Sequence, residues 1–381
     1  FIGLNGMKFK IDKADWKLVK LCDVVTKKEE NDKENAKNMF DRFLKVEHMD
    51  AESLHIKRWA SQEAGDEINP TFYKVFRKGQ MLFPTRNPHL RRAALASFDG
   101  VCGEKTLTLE SIEEMILPEF LPFLFHSDSF YDHTTSAIVG STNPHCRWRD
   151  VANYEFLIPP KGQQAELSKL LWSMDEVIEK ELAVLEKVET LFLSTSKKIF
   201  KEDGGDKKQL KDIAEIIMGQ SPAGNTYNES GEGIPFLQGN AEFGALYPSF
   251  IKYTTAPKKM APKDSILFSV RAPVGDLNIA DQEYCIGRGL AAIVIDDPNL
   301  RKFIYNFLKF EKSELERNST GSTFKSVNKD VLSSLTVAVS KDAELNVSID
   351  KINSITKSID YSLNKIDSSK TLQKSIINQV F

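Results

Sequence analysis

Cysteine is scarce in this chain. Cys22, Cys102, Cys146 and Cys285 are the only four among 381 residues, and no two stand as Cys-x-x-Cys. That spacing argues against a zinc ribbon and a disulfide-stapled scaffold, so reduced thiols in a cytoplasmic protein are expected. The asparagines of Asn228-Glu-Ser230 and Asn318-Ser-Thr320 are then expected to carry no glycan. No apolar run approaches the ~18 residues of a membrane span, and residues 1–10 lack the charged and apolar regions of a secretory signal. Catalytic signatures are missing as well. There is no Gly-x-x-x-x-Gly-Lys-Ser/Thr phosphate loop, Gly-x-Ser-x-Gly elbow or His-Glu-x-x-His pair. The Asn/Asp-Pro-Pro-aromatic motif of an amino-methyltransferase fails at its second proline in Asn143-Pro144-His145 and Asp297-Pro298-Asn299. His126-Ser-Asp128 with Asp132-His133 lacks the helical spacing of a metal site. Glu179 and Glu181 share a helix but face different ways, so they make no acid/base pair. No catalytic residue, no metal ligand and no cofactor of its own is expected.

What is present is a unit written twice. Lys78, Phe83, Arg86 and Pro88 recur as Lys263, Phe268, Arg271 and Pro273, each 185 residues later. Leu21-Cys-Asp23 echoes Leu210-Lys-Asp212 at 189, Gly140-Ser-Thr142 echoes Gly321-Ser-Thr323 at 181, and Asp150-Val151 echoes Asp330-Val331 at 180. The slow drift in spacing is what loop insertions between two divergent copies would produce.

Each copy ends in a long helical segment. Between 163 and 200 there is no Pro or Gly, and Leu171, Ile178, Leu185, Phe192 and Ile199 recur every seven residues, with Leu167, Met174 and Val188 between them. The same register 181 residues later carries Ile352, Ile359, Ile366, Gln373 and Val380. An intramolecular antiparallel coiled coil is the reading, each helix roughly 55 Å long at 1.5 Å per residue. The alternative is two helices packed separately on their own domains. Glu181, Thr195 and Gln373 intrude at core positions and weaken the seam.

Between the helices, short β-like runs such as 265–270 and 291–295 mix with helices expected at 301–310 and 111–125. The fold class is therefore α+β. Two similar domains are expected at 1–160 and 203–341, separated by long helices at 161–202 and 342–381, with a polar hinge at 201–206.

A net charge of −3 gives no global pull toward nucleic acid, so the placement of charge decides. Lys74, Arg77, Lys78, Arg86, Arg91 and Arg92 fall within nineteen residues that contain no acid, with Phe76 and Phe83 interleaved. Such a stretch can neutralise phosphates and offer guanidinium forks to guanine, or it can be a solvated basic face. Lys57, Arg58, Arg147 and Arg149, each beside a tryptophan, are shorter signals of the same kind. In the second half the candidates are Lys252, Lys258, Lys259, Arg271 and Arg288, with Gln238 and Asn240 as amides able to read adenine. Residues 163–200 hold seven acids against five bases, so part of the negative charge sits in the helices.

The second half also runs Ile216-Ile-Met-Gly219-Gln-Ser221-Pro-Ala-Gly224, Gly233-Ile-Pro-Phe-Leu-Gln-Gly-Asn240, Leu267-Phe-Ser-Val-Arg-Ala-Pro-Val-Gly-Asp276 and Cys285-Ile-Gly-Arg-Gly-Leu-Ala291. This succession resembles a target recognition domain of the specificity subunit of type I restriction–modification enzymes. The first half is similar in outline only, keeping Arg86 and Cys102-Gly103, while Ile158-Pro-Pro160 resembles the family's junction into its helix. The resemblance implies two recognition domains, each reading one half of a split double-stranded DNA site. It implies helices that act as a ruler for the unread gap and dock two adenine-methyltransferase subunits. Those partners would use S-adenosylmethionine, and a separate motor-nuclease subunit would cut. It carries over no catalytic residue and no membrane role. Arg271 has two readings, DNA contact or a brace bonded to core carbonyls. Three other readings stay open: a coiled-coil adaptor that never reads DNA, a DNA-modifying enzyme with an unrecognised site, and the specificity subunit of a methyltransferase-only or related restriction system.

Overall fold

The computed structural model describes residues 11–202, 205–318, 327–340 and 342–381. Gly321-Ser-Thr323, half of one repeat echo, lies outside them. The chain divides into two compact units, Phe1–Glu181 with Lys365–Phe381, and Leu182–Asn364.

In the first unit a four-stranded sheet runs in the order Val25–Lys28, Thr106–Ser111, Met81–Pro84, Ala94–Leu95. A five-stranded sheet runs Glu30–Asn31, Lys74–Phe76, Gly100–Cys102, Arg42–Leu44, Ala60–Ser61. Its one parallel pairing sets Phe43 beside Val101, and Lys17–Lys20 pairs separately with Glu155–Ile158. The period-two alternation of a strand explains the layering. Met81 and Phe83 point into a core with Phe125, Phe130, Leu167, Leu171, Ile376 and Val380, whereas Leu82 joins Leu44, Phe76 and Cys102 between the sheets.

The second unit has the same plan. Its four-stranded sheet is Glu215–Met218, Leu290–Val294, Ile266–Ser269, Leu277–Ile279, and Asp206–Gln209 pairs with Thr336–Val339. Its five-stranded sheet is Tyr227–Asn228, Tyr253–Thr254, Ile234–Leu237, Tyr284–Ile286, Met260–Ala261, again with one parallel pair, Phe236 beside Cys285. Ile266 and Phe268 face a core containing Phe192, Phe303, Phe307, Ile349 and Ile352, and Leu267 faces the other sheet with Leu237 and Ile286. The copies differ at an edge. The fifth strand flanks Lys74–Phe76 in the first, but in the second it flanks Tyr253–Thr254, on the opposite side of the shared four strands.

The long helices span Lys161–Lys197, continued by a π turn at Lys198–Glu202, and Asp342–Val380. Each unit contains the start of one and the end of the other. In the first, Glu181 meets Lys365 at 3.3 Å and the Gln373 amide donates to Leu171 O at 3.2 Å, so the segments run antiparallel. Two of the three polar intruders meet partners, Glu181, 8% exposed, through an ion pair and Gln373 through a backbone carbonyl, while Thr195 is buried in the second unit. One local expectation fails. The helix at 111–125 is instead the end of strand Thr106–Ser111, a turn and a single helical turn Leu121–Leu124, because Pro118 and Pro122 cannot sit inside a continuous helix. The next helix in that region is Asp128–Ser136, N-capped by the Ser127 hydroxyl. In the second unit Pro298–Asn318 is helical throughout.

Candidate nucleic-acid interface

The acid-free basic stretch of the first domain is not acid-free in space. Arg77 donates to Glu30 and to Asp99, and these bonds, Glu30's first, hold its guanidinium pKa above the ordinary value. Lys74 is 3% exposed, with its ammonium on Glu29 (3.3 Å) and Thr106 O (3.1 Å), which takes it out of reach of a phosphate. Arg91 lies over the Tyr131 ring and between Glu52 and Asp128, which Lys374 also contacts. The Asn378 amide donates to Asp128 at 2.6 Å, so Arg91 belongs to a clasp holding the end of the second long helix. Arg92 donates to Val46 O. Lys57 pairs with Glu179 of the first long helix at 2.8 Å, Arg58 with Asp50, and Arg147 and Arg149 share Asp150. The backbone amide of Lys78 binds Asp99, while its side chain and that of Arg86 remain exposed without an ion pair. Neighbouring strands and helices supply the carboxylates that the local sequence lacks.

The second domain is the opposite case. Gln238, Lys258, Lys259, Arg271 and Arg288 are exposed, Lys252 is half-buried, and none of their side chains is held by a carboxylate. Arg271 makes no side-chain bond to a core carbonyl; only its own carbonyl accepts, from Ser269 Oγ at 2.8 Å, so the brace reading fails. Asn240 is drawn aside, its amide donating to Asp276 at 2.8 Å, while Asp276 also receives Lys312. That bond takes one of the two N–H donors of the amide and turns the group toward Asp276. Gln220, exposed one residue before Ser221, was not singled out from the sequence, although its place in Gly219-Gln-Ser221 is the signal that marks it.

Matched backbone bonds align the two copies residue by residue. Thr85 N donates to Lys105 O as Val270 N does to Gly289 O, and Thr106 N to Gly103 O as Leu290 N does to Gly287 O. The same turn therefore carries Gly103-Glu-Lys105 in the first domain and Gly287-Arg-Gly289 in the second. Glu104 stands where Arg288 stands, and Arg86 where Arg271 does. Beside the first turn lies a cavity of about 300 Å³ lined by Glu29, Tyr73, Glu104, Lys105, Arg147 and Trp148 among others.

Among the described residues, three of the four thiols are buried and two of the histidines are tied to backbone carbonyls. Burial pushes the Cys102 and Cys146 thiols up to about 12. His126 and His133 each bond a backbone carbonyl, Ala93 O and Asp150 O. Among the described residues no three His, Cys, Asp or Glu side chains are grouped to hold a metal ion, and no helix is long and apolar enough to cross a membrane.

Comparison with known proteins agrees with this duplicated architecture. Residues 202–376 match the type I restriction modification DNA specificity domain. A putative type I restriction enzyme MjaX specificity subunit from Methanocaldococcus jannaschii is 29% identical over 328 residues, 79% of this chain and 77% of that one. A chain solved in work on complex assembly and conformational transition of the type I R-M system is 27% identical, with a TM-score of 0.63 over 96% of this chain and 97% of that one. The type I system S subunit from M. genitalium, 15% identical, shares the fold, with a TM-score of 0.55 over 98% of each chain. With two copies of one sheet-rich domain joined to paired long helices, the chain is similar over most of its length to the specificity subunits of type I restriction–modification systems, and its residues 202–376 match their DNA specificity domain.

Proposed function

We propose that this chain is the non-catalytic, DNA-reading subunit of a multisubunit adenine methyltransferase and endonuclease, working in the cytoplasm. Each domain reads one half of a bipartite double-stranded site, and the paired helices set the gap between the halves. The observation that carries this reading is that Lys258, Lys259, Arg271 and Arg288 on the second domain are exposed beside the amide of Gln238 and paired with no carboxylate, which leaves them free for an anionic partner. Two methyltransferase subunits, supplying S-adenosylmethionine chemistry, dock on the helices, and motor-nuclease subunits join them. In support of docking, the first long helix leaves Val177, Val184 and Leu191 exposed at seven-residue spacing, a repeating apolar stripe of the kind helices bury against partners.

The test is retention of random duplex by the purified chain across salt concentrations. Affinity that falls steeply with salt is the expected result, through counterion release. A folded chain that retains no duplex at low salt overturns the proposal and leaves the coiled-coil adaptor.

A further inference from the structure

Four loops of the second domain are bonded to one another backbone to backbone. Gly219 N donates to Leu290 O and Gln220 N to Ile286 O, both at 2.9 Å. Gly287 N donates to Leu237 O at 2.7 Å, Val270 N to Gly289 O at 3.0 Å, and Arg288 N to Ser221 Oγ at 3.3 Å. The approach is too close for side chains at the glycines. A Cβ on Gly219 would stand 2.1 Å from Gly287 O, and one on Gly287 or Gly289 would stand 2.9 or 2.8 Å from Gln238 O. The backbone under Gln220, Gln238, Arg271 and Arg288 is therefore fixed, while all four side chains are exposed and without an ion pair.

The chemistry of this surface suits base edges better than phosphates. Carboxylates bonded into these loops are occupied: Asp276 by Lys312 and Asn240, Glu242 by Gly239 N. A phosphate accepts from an ammonium, a guanidinium or an amide alike and from many directions, so it sets no demand on how the donors are held. A base edge needs a planar fork held in one place, which a guanidinium offers to guanine O6 and N7 and a carboxamide offers to adenine. Lys252, Lys258 and Lys259 stand ready for phosphates, leaving the forks for bases. In the first domain the same turn carries Glu104, an acceptor suited to the cytosine amine, so the two turns are chemically opposite.

We infer that the second domain reads a G·C pair of its half-site through Arg288, on a glycine-packed platform that also presents Gln238 and Gln220 to neighbouring bases. This rests on the proposal that the chain reads a bipartite DNA site. The test co-expresses the full chain with its methyltransferase subunit and maps methyladenine across the genome, for wild type, Arg288→Ala and Arg288→Lys. Exchange of residues 203–341 with those of a relative identifies which half of the site belongs to the second domain. That half is expected to contain a G·C pair, and both variants should relax it, with discrimination falling roughly tenfold to hundredfold and the other half unchanged. Arg288→Lys keeps the charge but loses the fork, so it carries the test should Arg288→Ala fail to fold. A half-site of A·T pairs alone overturns the inference, as does methylation that is unchanged or falls evenly at every site without a change of sequence. A wild-type chain that directs no bipartite methylation sinks the DNA-reading proposal and this inference together, whereas a bipartite motif indifferent to Arg288 sinks the inference alone.

Discussion

The two domains share the order of all but one edge strand, the parallel pairing and the turn hydrogen bonds, yet they treat much of their positive charge in opposite ways. In the first, Lys74, Arg77, Arg91 and the Lys57–Arg58 pair are each met by a carboxylate from another element. In the second, Lys258, Lys259, Arg271 and Arg288 meet none. Similar folds thus use similar residues differently: Arg77 and Arg91 of the first unit attach strands, loops and a helix end to one another, whereas Arg271 and Arg288 of the second are left for a partner. Nineteen residues without an acid signal a DNA surface only if the neighbouring strands are also free of acids.

The sharpest way to break this contrast is to reverse one charge in each domain. Arg91→Glu would set a third carboxylate against Glu52 and Asp128 and strand Lys374 among them. It should destabilise the first unit by about 3 kcal/mol, the cost of breaking a partly buried ionic network. Arg288→Glu should leave unfolding within about 0.5 kcal/mol, as expected for an exposed site without partners, while abolishing specific DNA binding. Thermal unfolding and duplex retention measured on both variants decide it. If Arg91→Glu unfolds at the wild-type temperature and weakens DNA binding, the first domain's cations are not structural.

Acid should separate the units next, because all six histidines lie between positions 48 and 145. His126 is buried, its Nε2–H donates to Ala93 O at 3.0 Å, and burial pushes its pKa down to about 4. A folded pKa below the unfolded value near 6.5 means stability that is present above pH 6.5 and lost as pH falls toward 4. The loss is roughly 2 kcal/mol at pH 5 for this group. Proteolysis at pH 5 should therefore open the first unit before the second, and His126→Gln should flatten that dependence. Equal opening of both units would show that some other group governs acid sensitivity.

A smaller effect concerns phosphates. Lys258→Gln with Lys259→Gln should reduce the salt slope of duplex binding by about two units, one per phosphate contact. Lys57→Gln with Arg58→Gln, whose side chains are already paired, should leave the slope unchanged. Reversed outcomes would move the DNA surface to the first domain.

Much of this architecture was legible in the sequence, and the reasons are local. The Lys78 and Lys263 strings mark equivalent strands because Phe83 and Phe268 fill the same core position, and the heptads of both helices face inward at Leu171, Phe192, Ile352 and Val380. The specificity-domain resemblance lay in turns whose glycines are required by close backbone approach, which a sequence records directly. Ion pairing was not legible. Glu30 and Arg77 are joined by strand pairing, and Asp128 and Lys374 lie 246 positions apart, so no window of sequence contains either pair. Nor could the opposition of Glu104 and Arg288 be seen before the hydrogen bonds of the two turns fixed the alignment. The helix expected at 111–125 as the counterpart of 301–310 fails because Pro118 and Pro122 interrupt it, a local signal that the repeat does not carry over.

The smallest expected effect has the opposite sign to that of His126. His55 Nε2 lies 2.7 Å from Asp175 Oδ2 on the first long helix, with the Trp172 ring at its edge. The hydrogen bond to Asp175 raises the His55 pKa, partial burial opposes it, and Glu179 adds to the attraction while Lys57 subtracts. A raised folded pKa contributes stability that is complete below about pH 6.5 and disappears as pH rises through the folded value. The ring is a third exposed, so solvent screening keeps the contribution below about 1 kcal/mol. The first unit should therefore be most stable near neutrality, losing His126's contribution on the acid side and His55's on the alkaline side, while the second unit shows neither slope. Urea midpoints of the full chain from pH 6 to 8.5, followed by exchange protection within each unit, read this directly. His55→Gln should remove the alkaline slope in the first unit and leave DNA affinity unaltered, since both His55 and its neighbour Lys57 are tied to the helix. A variant that keeps the slope would show that the pair does not carry it. One that loses DNA affinity while keeping its stability would return this loop to the DNA surface and undo the contrast between the domains.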